Sequence, residues 1–165
     1  MNPKIKSIVY NSFIAALYVI LTLLSYPLSF GQIQIRFAEM LVLLCFFRKD
    51  YIFGLTIGCA VANIFSTLGM VDVLFGTLAT LISCLLIMWC RHLVFAALIP
   101  VIANGFIVAF ELYQFLALPY WISVMWVSLG ELGVMAIAYI FFMFLRKRKR
   151  FFDSIRATQN IGFKF

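Results

Sequence analysis

Gln32-Ile33-Gln34-Ile35-Arg36-Phe37-Ala38-Glu39-Met40-Leu41-Val42-Leu43-Leu44-Cys45-Phe46-Phe47-Arg48-Lys49 is the stretch on which the fold of this chain turns. Its first half alternates Gln32, Gln34 and Arg36 with Ile33, Ile35 and Phe37, the period of two that marks an extended segment with one polar face. From Arg36 to Phe47 the alternation gives way to an apolar run, read as a helix that ends at Arg48-Lys49-Asp50. At 1.5 Å per residue that helix is about 18 Å long, and the hydrocarbon core of a bilayer is about 30 Å thick. Such a helix is either tilted beneath the extended segment before it or shielded by other helices.

A bilayer is the right frame because of what surrounds this segment. The chain has 165 residues, 65% of them hydrophobic and 12% charged; soluble domains carry about 25% charged residues. Nineteen phenylalanines and a mean hydropathy of +1.10 leave too few polar side chains to cover a water-facing surface. The length suits roughly six spanning helices of about 20 residues with short loops, which leaves no room for a separate soluble domain. The chain is read as one transmembrane domain over 1–165.

Working outward, the spans fall at about 7–24, 36–47, 51–68, 73–89, 93–112 and 120–145, followed by a basic tail over 146–165 whose part beyond about Ser154 is expected to be poorly ordered. The first apolar run is longer than the core of a signal peptide and more spans follow it, so it reads as a retained helix. Twelve of the thirteen Lys and Arg collect at one set of segment ends: Lys4 and Lys6, Arg48 and Lys49, Arg91 beside His92, and the tail. Six spans with both termini cytoplasmic satisfy the positive-inside rule at every loop, and five or seven spans break it. The fold expected is an all-α membrane bundle of six helices in the plasma membrane. The net charge of +7 reads as a topology signal and a contact with anionic lipid, not as nucleic-acid binding.

The acids lie on the other side. Four of the six, Glu39, Asp72, Glu111 and Glu131, sit within or at the edge of apolar segments away from the basic ends, where Arg36 is the exception among the cations. An ionisable group in a bilayer is costly and is retained mainly where it pairs, lines a cavity or handles a ligand. With Asn63, Asn104 and Gln114 these residues form a candidate substrate pocket open to the outside. Each also has a structural reading. Asp72 suits a helix N-cap, Arg36 and Glu39 at i,i+3 suit a salt bridge, the two Asn suit interhelical hydrogen bonds, and Glu111 suits solvation among headgroups. Glu131, near mid-span between Gly130 and Gly133, has no basic residue at its depth and the weakest structural explanation; the glycines suit close approach by another helix or a ligand.

Carboxylates, amides and one guanidinium suit a small planar solute rich in N–H donors, since a carboxylate accepts two parallel N–H bonds from an amidine-like edge. Phe37, Tyr113, Tyr120 and Trp121 are candidates to stack on its ring. There is no GxxxxGK[ST], HExxH or GxSxG motif, so neither nucleotide hydrolysis by this chain nor enzymatic chemistry is expected. Cys45, Cys59, Cys84 and Cys90 form no ligand cluster and read as packing residues, with no metal and no cofactor implied.

The run Gln32-Ile33-Gln34-Ile35-Arg36-Phe37-Ala38-Glu39 resembles the QueT-type family, substrate-binding components of energy-coupling factor (ECF) importers for queuosine precursors. Gly54-Leu55-x-x-Gly58-Cys59-x-x-Ala62-Asn63, Asp72-x-x-x-Gly76-Thr77-Leu78-Ala79-Thr80-Leu81 and Gly130-Glu131 add to the likeness, which extends from Lys6 to Leu145. The resemblance implies a six-helix fold and a ligand such as 7-aminomethyl- or 7-cyano-7-deazaguanine. It also implies a separate transmembrane coupling subunit and two cytoplasmic ATPases. In that class the coupling subunit docks on small residues of the first helix, often Ala-x-x-x-Ala; the closest pair here is Ser12-x-x-x-Ala16. Two alternatives stand beside this reading: the same machinery with another vitamin-like ligand, and a stand-alone proton-coupled carrier. Dependence of uptake on the ATPases or on the proton gradient separates the carrier from the importer.

Overall fold

The computed structural model describes residues 3–29 and 34–160, and every regular element within them is helical. The elements are α1 (Pro3–Leu24), α2 (Tyr26–Ser29), a 3-10 helix (Phe37–Leu43), α3 (Leu44–Phe47), α4 (Tyr51–Asn63), α5 (Met70–Ile87), α6 (Leu93–Leu116), α7 (Tyr120–Leu145) and α8 (Lys149–Ser154). By length and apolar composition α1, α5, α6 and α7 can cross a membrane, whereas Phe37–Phe47 and Tyr51–Asn63 are shorter apolar helices. The outer surface carries Phe13, Leu24, Phe53, Trp121 and Phe144, each more than two-thirds exposed. Four carboxylates are buried while several phenylalanines face out, the reverse of a water-soluble fold.

The long helices pack in sequence, α1 on α4, α4 on α5, α5 on α6 and α6 on α7. The 3-10 helix touches all five and so occupies the middle. Small residues bring α1 and α4 together. The Gly54 amide donates to Asn11 Oδ1 at 2.9 Å, and a Cβ on Gly58 would lie 2.9 Å from Ala15 Cα. Any larger side chain at either glycine forces the two helices apart.

Several boundaries differ from those the hydropathy suggests. The first helix begins at Pro3. The second segment is a 3-10 helix completed by one α turn, and of the extended stretch before it only Gln34–Arg36 lies among the described residues. The third helix stops at Asn63, not Leu68, because polar side chains divert the backbone: Ser66 Oγ accepts from Leu68 N at 3.2 Å, the local competition that makes Ser and Asn poor helix interiors. The fourth begins at Met70 after Gly69, whose φ of 58° suits glycine. Asp72 therefore sits inside the first turn and caps nothing. The fifth runs on to Leu116 and ends at Ala117 with φ 53°, which places Gln114 on the helix instead of in a loop.

The largest correction concerns the tail. Over residues 155–160 it is a folded strap, and residues 161–165 lie outside the described residues. A helix ending at Phe47 leaves four carbonyls without intrahelical donors, and all four find one. Leu44 O accepts from Arg48 N at 2.9 Å. Cys45 O and Phe46 O accept from Gln159 Nε2 at 3.3 and 3.1 Å, and Phe46 O also from Asn160 Nδ2 at 2.8 Å. Phe47 O accepts from the amides of Thr158 and Gln159 at 2.9 and 3.1 Å. Phe152, 4% exposed, packs its ring 5.2 Å from Phe47, a burial that stabilises by roughly 1.5–3 kcal/mol. Tyr51 donates to Ile155 O at 2.5 Å, the Arg156 guanidinium lies 5.5 Å over the Tyr10 ring, and Asn160 reaches Cys90 O at 3.4 Å. The strap thus joins the start of α1, the Arg48-Lys49 turn and the Cys90-Arg91 turn, and brings the basic segments to one end of the bundle.

Replacing Gln159 and Asn160 together by Ala strips donors from the Cys45 and Phe46 carbonyls. At about 1 kcal/mol for each of these lost bonds, the expected result is a thermal midpoint lower by roughly 6–12 °C for the purified chain in detergent. An unchanged midpoint would show that the Gln159 and Asn160 side chains contribute nothing to holding the strap.

Candidate functional site

The 3-10 helix carries two charges into the middle of the bundle. Arg36 precedes it in extended conformation, and Glu39 lies in its first turn. Both are buried, at 6% and 2% exposed. Glu39 Oε1 accepts from the Tyr18 hydroxyl of α1 and from Thr80 Oγ1 of α5 at 3.2 Å. Among the described residues its Oε2 meets no donor. From α7, Glu131 approaches Glu39, Arg36 and the Asn104 amide of α6, and its Oε1 is likewise unpartnered. Gln34, Arg36, Glu39, Asn104 and Glu131 line one cleft, whose apolar walls are Val108 and Val127. The free interior of the cleft is about 10 Å³. Its interior admits little more than one water, so a two-ring solute enters only if a wall moves.

Beside the cleft lies a second polar group. Asp72 of α5 and Glu111 of α6, 4% and 0% exposed, interact directly, and Arg36 acts on Glu111 as well. Asn63, fully buried at the end of α4, donates Nδ2 to Asp72 O at 2.9 Å. Gly76 makes room for this. A Cβ there would collide with the Asn63 amide and come within 3.7 Å of Arg36 Nη1. The described residues of this interior thus hold four carboxylic side chains and one guanidinium. Burying a charge without compensation is expensive, so an acceptor-rich interior of this kind is matched by donors and positive charge.

Of the residues expected in the pocket, Arg36, Glu39, Asn104 and Glu131 share the cleft, and Asn63, Asp72 and Glu111 adjoin it. Gln114 is exposed on α6 and stands apart. The expected aromatic stackers do not line the cleft. Tyr113 and Trp121 are exposed, and Tyr120 packs its ring against both. Gly133 faces open space, so it admits no close neighbour within the chain. Cys59 is more than packing: Thr80 and Asn63 approach its sulfur at 3.2 and 3.4 Å. Among the described residues no group of three or more His, Cys, Asp or Glu suits a metal ion. Ser12 and Ala16 are exposed on α1, and Ser12 borders an α1–α4 groove with Phe53, Gly54 and Ile57.

Three site residues escaped the sequence reading. Gln34 had a signal, its place on the polar face of the alternating segment. Thr80 lies eight residues after Asp72, hence near the same face of α5. Tyr18 stands in the middle of a span, where a phenol needs a partner.

Against known proteins, a family model described as QueT transporter matches residues 8–147. The chain is 46% identical over 84 residues to a protein of Lactococcus lactis subsp. cremoris (strain MG1363) named queuosine precursor transporter QueT. That alignment covers 49% of this chain and 48% of the relative, so the chain spans about half the length of the curated relative it matches. No solved structure matches.

The packing at Gly76 is open to test. Gly76→Ala pushes on Asn63 and is expected to destabilise the chain by about 1–3 kcal/mol, read as a lower thermal midpoint in detergent. Gly133→Ala, whose added methyl meets nothing, leaves the midpoint in place. Equal stability of the two variants would contradict the geometry at Gly76.

Proposed function

This chain belongs to the QueT transporter family, and we propose that it is the substrate-capture subunit of an importer for a queuosine precursor. The family is one of transporters, not enzymes, and the apolar helices make this a multi-pass membrane protein. In this proposal the six apolar segments form the membrane bundle, the basic end with both termini is cytoplasmic, and the acid-lined cleft opens outward in the plasma membrane. A coupling subunit with two ATPases drives release, docking at the exposed Ser12 and Ala16 of α1.

The observation that carries the reading is the cleft between Glu39 and Glu131. Each carboxylate has an oxygen without a donor, while Asn104, Gln34 and Arg36 stand beside them. A guanine-like edge presents two parallel N–H groups to a carboxylate, and its carbonyl oxygen accepts from Arg36 or an amide. Tyr18 and Thr80 hold Glu39 by one oxygen, leaving the other for the solute. Val108 and Val127 are the walls that part for the ring, because neither surrenders a hydrogen bond when it moves.

The test is calorimetric titration of the purified chain with 7-aminomethyl- and 7-cyano-7-deazaguanine. Glu39→Gln and Glu131→Gln each remove a charge-assisted bond of roughly 1.5–3 kcal/mol and are expected to weaken binding about tenfold or more. Undiminished affinity in both folded variants would remove the cleft from the account.

A further inference from the structure

The fold separates charge. Four of the six carboxylates are buried in the interior. Of the thirteen Lys and Arg, all but Arg36 of the interior and Lys164 outside the described residues belong to the basic end, where Asp50 and Asp153 are the acids. Asp50 is taken up by Arg48 at 2.7 Å. The strap sharpens this imbalance. Arg48 Nη1 donates to Arg156 O at 3.1 Å and Asn160 Nδ2 to Cys90 O at 3.4 Å, which gathers the Lys49 turn, the Arg91 turn and α8 into one cationic surface. Lys49, Arg91, Arg148, Lys149 and Arg150 are exposed on it. Like charges gathered this way repel one another, whereas the strap is held on the Phe47 carbonyl by neutral amides. Closure therefore calls for counter-charge from outside the chain.

We propose that anionic phospholipid headgroups supply it: the surface around the strap is a docking site for the phosphodiesters of the adjoining leaflet, and their charge holds the strap closed on Phe37–Phe47. Two aromatic side chains fix the depth. Trp89, 85% exposed, stands two residues before Arg91, and Phe144, 80% exposed, stands four residues before Arg148. An exposed indole beside a guanidinium marks the headgroup level of a bilayer. The cations next to these rings therefore stand at the height of the phosphates, not out in water where a soluble polyanion would meet them. Arg and Lys give charge-assisted hydrogen bonds to phosphate oxygens, and each one close to an anionic leaflet is attracted to it. In this arrangement the lipid composition of the leaflet sets how firmly Thr158 and Gln159 hold the Phe47 carbonyl. It thereby sets the seat of the segment that carries Arg36 and Glu39.

The experiment is hydrogen exchange, read by mass spectrometry, on the full chain at low salt in nanodiscs of phosphatidylcholine alone and of phosphatidylcholine with phosphatidylglycerol. The Thr158 and Gln159 amides are expected to exchange about tenfold or more slowly in the anionic nanodiscs. The difference closes in about 0.5 M sodium chloride, where the Debye length falls to a few ångströms. Lys49→Gln, Arg148→Gln and Arg150→Gln combined remove exposed charges without removing a strap hydrogen bond, and most of the difference is lost. Equal exchange in the two lipids overturns the proposal from the wild type alone, whether or not the variant folds. A difference that the triple variant keeps in full overturns it as well, because other groups then carry it. Inorganic phosphate or a short RNA that slows the same amides equally in phosphatidylcholine alone identifies a soluble anion as the occupant and overturns the lipid.

Discussion

An eleven-residue helix that cannot cross a bilayer has to be completed by the rest of the protein, and that constraint organises this structure. Phe37–Phe47 touches α1, α4, α5, α6 and α7. Backbone groups left open at its end have no water to turn to, so protein supplies the donors. At the carbonyl end they come from Thr158, Gln159 and Asn160. At the other end the segment delivers Arg36 and Glu39 into the middle of the bundle, where Tyr18 and Thr80 receive the carboxylate. One segment therefore ties the basic end of the molecule to its polar interior.

That interior is built from helices whose surfaces are otherwise apolar. Each acid stands on a different element: Glu39 on the 3-10 helix, Asp72 on α5, Glu111 on α6 and Glu131 on α7. Only the packing order brings them together. Glycine at 76 lets Asn63 and Arg36 sit side by side, and an excess of acceptors over donors follows. Such an excess costs stability and makes sense as selectivity, because the missing donors and charge are what a nitrogen-rich solute brings.

Much of this was legible in the residue pattern. Charge asymmetry separated the basic ends from the acids, and the folded chain does bring the basic segments together through Tyr10, Arg48, Cys90 and Arg156. The last long helix, 120–145, was readable because a proline precedes it and a basic run follows. Less legible was the end of α4, since hydropathy continues through Ile64, Phe65 and Leu68 while Asn63 and Ser66 redirect the backbone locally. The order of the tail is hidden for a related reason. Thr158-Gln159-Asn160 is polar enough to look unstructured, yet polar side chains are what orphan carbonyls require, and no local pattern announces that a helix more than a hundred residues earlier needs them. Gln114 lies beyond the apolar pattern that ends near 112, whereas the helix runs a turn further to Leu116. Tyr18 was hidden by its hydrophobic neighbours.

The central claim is that the carboxylates around the short helix grip a nitrogen-rich base. A structure of the full chain in lipid with 7-aminomethyl-7-deazaguanine tests it most directly. The account predicts the ring between Glu39 and Glu131, with Val108 and Val127 moved apart. Density for the base in the α1–α4 groove, or anywhere away from these two acids, would contradict it.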